Sequence, residues 1–117
     1  MDLDELNAKV TAAILHAESL PLGSMDAQSA FREVSNLEET IAALASANDV
    51  EGEIARLGAV SGALSAGEAL RALQLARRYG SDALSSAARA KLDELRKEAD
   101  RTSANSSHCS RPRSRAT

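Results

Sequence analysis

Alanine supplies 24 of the 51 apolar residues in this 117-residue chain, and that ratio limits what it can fold into more than any motif does. Leu, Ile, Val and Phe together number only 23, close to the level at which a packed core becomes marginal. A core of that kind works only if its elements approach closely. Alanine is the most favourable helix residue and β-branched residues are scarce, so helix is expected throughout and strand nowhere. The length allows a single domain, expected over residues 1–100.

Punctuation and periodicity divide that domain into five helices. Asp2, with Glu5 three residues on, opens a helix over residues 3–19 whose Leu3, Leu6, Val10, Ala13, Ile14 and Ala17 recur at spacings of three and four. Pro21-Leu22-Gly23-Ser24 ends it. Ser24 caps a second helix over 25–47, with Ala30, Val34, Leu37, Ile41, Leu44 and Ala45 as its buried stripe, Phe31 at the edge, and Arg32, Asn36 and Glu39 toward water. Asp49 caps a third over 50–64, bearing Val50, Ile54, Leu57, Val60 and Leu64 on one side. Its other side is Ala55, Gly58, Ala59 and Gly62, a surface of small residues that invites a second backbone, so this helix is expected to be sandwiched.

Ser65-Ala66-Gly67-Glu68 has the form of a capping box and predicts a fourth helix over 66–79, with Gly80 as the left-handed stop. A fifth is expected over 82–100, burying Leu84, Ala88, Leu92, Leu95 and Ala99, with Arg89, Asp93 and Lys97 able to pair along its outer side. On a wheel of about 100° per residue, Ala69, Ala72, Leu73, Leu75, Ala76 and Tyr79 share one face of the fourth helix. Arg71, Gln74, Arg77 and Arg78 share the other, with Leu70 exposed among them. No pattern recurs at a fixed period, so a solenoid is not expected.

From Arg101 onward there is no acid and no large apolar residue, and residues 101–117 are expected to form a disordered, basic, Ser/Arg-rich tail. The net charge of −3 conceals a dipole along the chain. Residues 1–68 hold 3 basic and 12 acidic side chains, and residues 69–117 hold 11 and 5. Such a distribution suits internal docking, head-to-tail self-association or an acidic partner. Cys109 is the only cysteine, which excludes an internal disulfide and fits a reducing compartment. With no basic apolar leader and no run near 20 apolar residues, a cytoplasmic protein without a membrane span is expected.

The vocabulary of catalysis is absent. There is no phosphate-binding glycine loop, no Gly-x-Gly-x-x-Gly, no His-Glu-x-x-His and no cysteine pair, so no cofactor, metal or catalytic residue is assigned. His16 suits the negative end of the first helix, and His108-Cys109 is a weak pair on a tail. Glu38 and Glu39, with Glu33 nearby, point about 100° apart and do not converge as acid and base; they read as a solvated face, or as an acidic surface that docks a basic partner. Ala76-Arg77-Arg78-Tyr79-Gly80 matches the Ala-x-x-x-Gly of a helix-turn-helix. The following helix departs from that motif: Ser86 and Arg89 stand where aliphatic residues belong, and Asp82 would face phosphates.

These observations lead to an all-α, non-enzymatic protein-interaction module or small regulator, self-association included, with Leu70, Arg71, Gln74, Arg77 and Arg78 as its contact residues. A second expectation is a nucleic-acid-associated regulator that neutralises phosphates with Arg71, Arg78, Arg111, Arg113 and Arg115. A third is an acidic mimic of nucleic acid, which requires Glu33, Glu38, Glu39, Glu51 and Glu53 to cluster on one surface.

Overall fold

The computed structural model describes the backbone of residues 2–116 and the side chains of residues 2–104. Those residues form an all-α protein of five helices: α1 (Leu3–Glu18), α2 (Met25–Leu44), α3 (Val50–Ser65), α4 (Ala69–Tyr79) and α5 (Ser86–Ala116), with no strand among them. The start signals of the first two are made as expected. Asp2 accepts a bond from the Glu5 amide at 2.9 Å and Ser24 one from the Ala27 amide at 3.1 Å, each satisfying a donor that the first helical turn leaves free. Between them, Ser24 N–H bonds Pro21 C=O at 3.1 Å and Gly23 lies at φ +80°, a turn that needs glycine at its third position.

The helices form a layer with α2 and α3 at its centre. α1 packs on α2, α2 on α3, and α3 on both α4 and α5, which pack on each other. α3 is therefore sandwiched, and its small residues are the reason. Ala55, Ala59 and Ala63 are at most 1% exposed. A Cβ at Gly62 would come within 3.0 Å of the Ser35 backbone nitrogen of α2, so the two backbones meet with no room for a side chain. Ser35, fully buried, seals the contact by donating its hydroxyl to Ala59 C=O at 2.7 Å. The opposite, large-residue side of α3 departs from expectation. Val60 is fully buried, but Val50 and Ile54 are 71% and 59% exposed, because α2 approaches over the glycines and alanines and no helix covers the first two turns of the other side.

Aliphatic anchors complete the core where the helices diverge. Ile41 and Leu75 are almost fully buried, and each such side chain contributes roughly 1.5–3 kcal/mol by leaving water. Tyr79 is also buried, its ring flanked by the Arg56 and Arg78 guanidinium carbons at 5.6 and 5.8 Å from its centroid. Arg56, itself 9% exposed, bonds Asp82 at 2.8 Å and the carbonyls of Ala45 and Gly52 at 3.2 and 3.0 Å. It ties the loop after α4 to the loop before α3.

Several boundaries differ from the sequence reading. Ser65 does not open a helix with Glu68; it closes α3. Glu68 N–H bonds Ala63 C=O and Gly67 N–H bonds Leu64 C=O, with Gly67 at φ +79°, which is the Schellman ending that glycine permits. Glu68 then flanks α4 without capping it, because its carboxylate is drawn to Arg32 at 2.7 Å. Gly80 is right-handed at φ −63° and ends α4 without the left-handed turn. α5 starts at Ser86 rather than 82, since Asp82 is engaged by Arg56 and Ser85 takes over as cap, accepting from the Ala88 amide at 3.2 Å. α2 ends at Leu44, before 47, and Leu44 is 57% exposed rather than buried. Residues 101–104, expected in the tail, extend α5; the side chains of His108, Cys109, Arg111, Arg113 and Arg115 lie outside the described residues.

Candidate functional site

α4 presents the two faces its sequence implies. Ala72, Leu73, Leu75, Ala76 and Tyr79 are buried, whereas Leu70 is 67% exposed and Gln74, Arg77 and Arg78 are exposed. The arginines on that outer side are nevertheless not a free cationic stripe. Arg71 donates to Ser35 Oγ at 2.9 Å, Asn36 Oδ1 at 3.1 Å and Glu39 Oε1 at 2.5 Å, and Arg78 donates to Glu39 Oε2 at 3.0 Å. Glu39 is thus gripped by two guanidinium groups across the α2–α4 seam instead of facing water. Partial burial opposes its ionisation, but the hydrogen bonds from Arg78 and Arg71 outweigh burial and hold its carboxyl below the ordinary value of 4.5.

What remains accessible on this side is an apolar residue in a fixed polar frame. Leu70 and Gln74 lie one turn apart, and Arg77 completes the ridge. Arg77 also leads into a cleft of about 190 Å³ between α4 and α5, shared with Ala76, Gly80, Leu92, Asp93 and two further arginines. Arg89 donates to Gly80 and Asp82 carbonyls at 2.8 and 2.7 Å, so it does not pair with Asp93 as expected; Arg96 and Lys97 hold Asp93 at 2.9 and 3.3 Å. Both carbonyls lie just past the end of α4, where no helical partner is available to them.

The turn after α4 gives no support to a helix-turn-helix. Asp82 is paired with Arg56, and the Ser85 amide donates to Glu53 at 2.7 Å, so the turn is bound down onto α3. The five glutamates required of an acidic mimic are dispersed. Glu33 is exposed, Glu38 is buried, Glu39 faces α4, Glu51 accepts from Asn7 of α1, and Glu53 faces the α4–α5 turn.

Glu38 is the residue that sequence reasoning missed. It is 7% exposed, on the floor of a cavity of about 190 Å³ bounded by all three N-terminal helices. α1 and α3 both lie on α2, and no pair of their Cα atoms comes within 8 Å. The furrow between them is walled by Ile14 and Glu18 of α1 and by Gly58, Ser61, Gly62 and Ser65 of α3, with Phe31 and Val34 beside Glu38 on α2. A Cβ at Gly58 would occupy the place of the Glu38 carboxylate. Glu38 makes no hydrogen bond or ion pair among the described residues, and burial pushes its carboxyl up to about 7. Its position was visible in principle: four residues after Val34 and three before Ile41, it falls within the buried stripe, where only its charge argued for solvent.

No three His, Cys, Asp or Glu side chains converge on a common metal position among the described residues. No described helix is long and apolar enough to cross a membrane. Comparison of the chain with protein-family models, with curated proteins and with solved structures finds no match, so the functional reading rests on these side chains alone.

Proposed function

We propose that the chain is a non-enzymatic, cytoplasmic protein-interaction module that self-associates, the α4 ridge of one copy meeting the acidic N-terminal helices of another. The observation that carries this reading is Leu70, an aliphatic side chain 67% exposed on a helix whose Arg71 and Arg78 are already fixed by Glu39. A rigid apolar contact with a cationic rim costs little ordering on association. The complementary surface is available in the same chain: Asp4 and Glu5 of α1 and Asp26 and Glu33 of α2 are exposed.

Size-exclusion chromatography with light scattering tests it. At about 50 mM salt the mass is expected to exceed that of the monomer, and to fall toward it at about 500 mM salt, where charges are screened beyond a few ångströms. The double variant Leu70→Glu, Arg77→Glu is expected to stay monomeric at both. A wild-type monomer at both salts, at protein concentrations of about 200 µM, overturns the reading.

A second reading, contact with a polyanion such as nucleic acid, is favoured by the convergence of Arg77, Arg89 and Arg96 on the α4–α5 cleft. It requires a salt-sensitive mobility shift that Arg77→Glu weakens.

A further inference from the structure

Glu38 is 7% exposed, its carboxylate has no hydrogen-bonding or ionic partner among the described residues, and a cavity lies in front of it. Buried carboxylates in folded proteins are ordinarily paired or hydrogen-bonded, because an ion removed from water without a partner is strongly destabilised. Here the second carboxylate of the cavity, Glu18, stands at the same opening, and none of the lining residues is basic. The remaining walls are apolar on the α1 and α2 sides, from Ile14, Phe31 and Val34, and small on the α3 side, where the missing side chain of Gly58 makes room for the Glu38 carboxylate. A cavity of about 150 Å³ is enough to take benzene, so about 190 Å³ accommodates a ring of six carbons or a short alkyl chain.

We propose that this α1–α2–α3 cavity binds an organic ammonium ion with a compact apolar body, its nitrogen paired with Glu38 and its hydrocarbon against Ile14, Phe31 and Val34. The ammonium supplies the positive charge that the lining lacks, and the hydrocarbon gains from leaving water. Selectivity follows from the same two features. A neutral molecule of the same shape leaves the carboxylate unpaired, and an inorganic cation leaves the apolar wall uncovered. The site is separate from the α4 ridge, so it stands or falls independently of self-association.

Titration of the isotope-labelled full chain with cyclohexylammonium chloride, followed by amide shifts at about pH 8, where amine and carboxylate are both charged, tests the proposal. Saturable shifts are expected in residues around Phe31–Glu38 and Gly58–Ser65. Glu38→Gln, which keeps shape and removes charge, is expected to weaken binding at least about tenfold, the order of one charge-assisted bond. Cyclohexanol is expected to bind no better than the amine binds that variant. Gly58→Ala, which places a methyl group where the carboxylate lies, is expected to reduce binding with the helical spectrum retained. At about pH 5 affinity is expected to drop, since Glu38 then takes up a proton; among the cavity-lining residues, Glu18 is the only other ionisable group facing it, and α3 contributes none. Absence of saturable shifts at about 10 mM amine, equal binding by Glu38→Gln, or equal binding of cyclohexanol each overturns it.

Discussion

The two flanks of α2 are built from the same kinds of residue and end in opposite states. On one flank Glu39 meets Arg71 and Arg78, and Ser35 is held by Arg71 and by the Ala59 carbonyl; the seam is closed and every charge is answered. On the other, Glu38 and Gly58 face each other across an open furrow and the carboxyl has no partner. Glu38 and Glu39 are consecutive, and Gly62, whose backbone meets Ser35, also lines the furrow beside Gly58, so composition does not separate the flanks. A rotation of about 100° along α2 does. The residue type sets what a position can do, and the helix it faces sets whether that capacity is used.

The largest break in this comparison is expected from Gly62→Val. The new side chain must fit where the Ser35 backbone is 3.0–3.1 Å from the first carbon, forcing α2 and α3 apart at a loss of about 3 kcal/mol or more in urea unfolding. If this variant unfolds like wild type, the closed seam is not what holds α2 on α3.

Next in size is the pH dependence of Glu38. Its folded carboxyl titrates at about 7 against an ordinary 4.5, so between those values the folded chain retains a proton that the unfolded chain has released. Stability attributable to this residue therefore falls as pH rises from about 4.5 through 7, by up to roughly 3 kcal/mol. Glu38→Gln is expected to be the more stable protein at about pH 8 and to converge with wild type below about pH 4.5. Parallel stability curves for the two would show that the carboxyl is solvated.

Glu39→Gln samples the closed flank, with the opposite sign. Because the folded carboxyl is held below 4.5, its stabilisation is present above that value and disappears as pH falls through the lower folded one. At neutral pH the substitution is expected to cost about 1 kcal/mol, discounted for the exposure of Arg78 and of part of Glu39. A cost no smaller at about 1 M salt than at low salt would show that the arginines act through packing and not charge.

The smallest effect is expected from Gly58→Ala. The added methyl group meets only the movable end of Glu38, and alanine gains up to about 1 kcal/mol of helix propensity over glycine. Net stability should stay within about 1 kcal/mol of wild type by thermal unfolding. A loss comparable to that of Gly62→Val would mean that the two glycines play the same part and the furrow is closed.

The helices were legible in the sequence because their signals are local. Asp2 and Ser24 cap where expected, the faces of α1, α4 and α5 match their periodicity, and the two-sided character of α3 was written in Ala55, Gly58, Ala59 and Gly62. Misreadings arose where one residue had two possible duties. Gly67 ends α3 instead of sitting inside a capping box, and Asp82 serves Arg56 instead of starting α5. Local pattern cannot rank such duties, since the deciding partner is distant in sequence.

The sequence by itself determined that this protein is helical, where its apolar stripes run, and that close approach around α3 was available to it; each follows from propensity and a period of 3.6 residues. The tertiary structure alone decided which arginines are spent on Glu39, that Val50 and Ile54 stay outside while alanines go in, and that Glu38 is buried facing a cavity. Those outcomes depend on which helix lies over which face, and that is fixed by the packing of all five helices together, with α2 brought onto α3 where Gly62 leaves room for the backbone of Ser35.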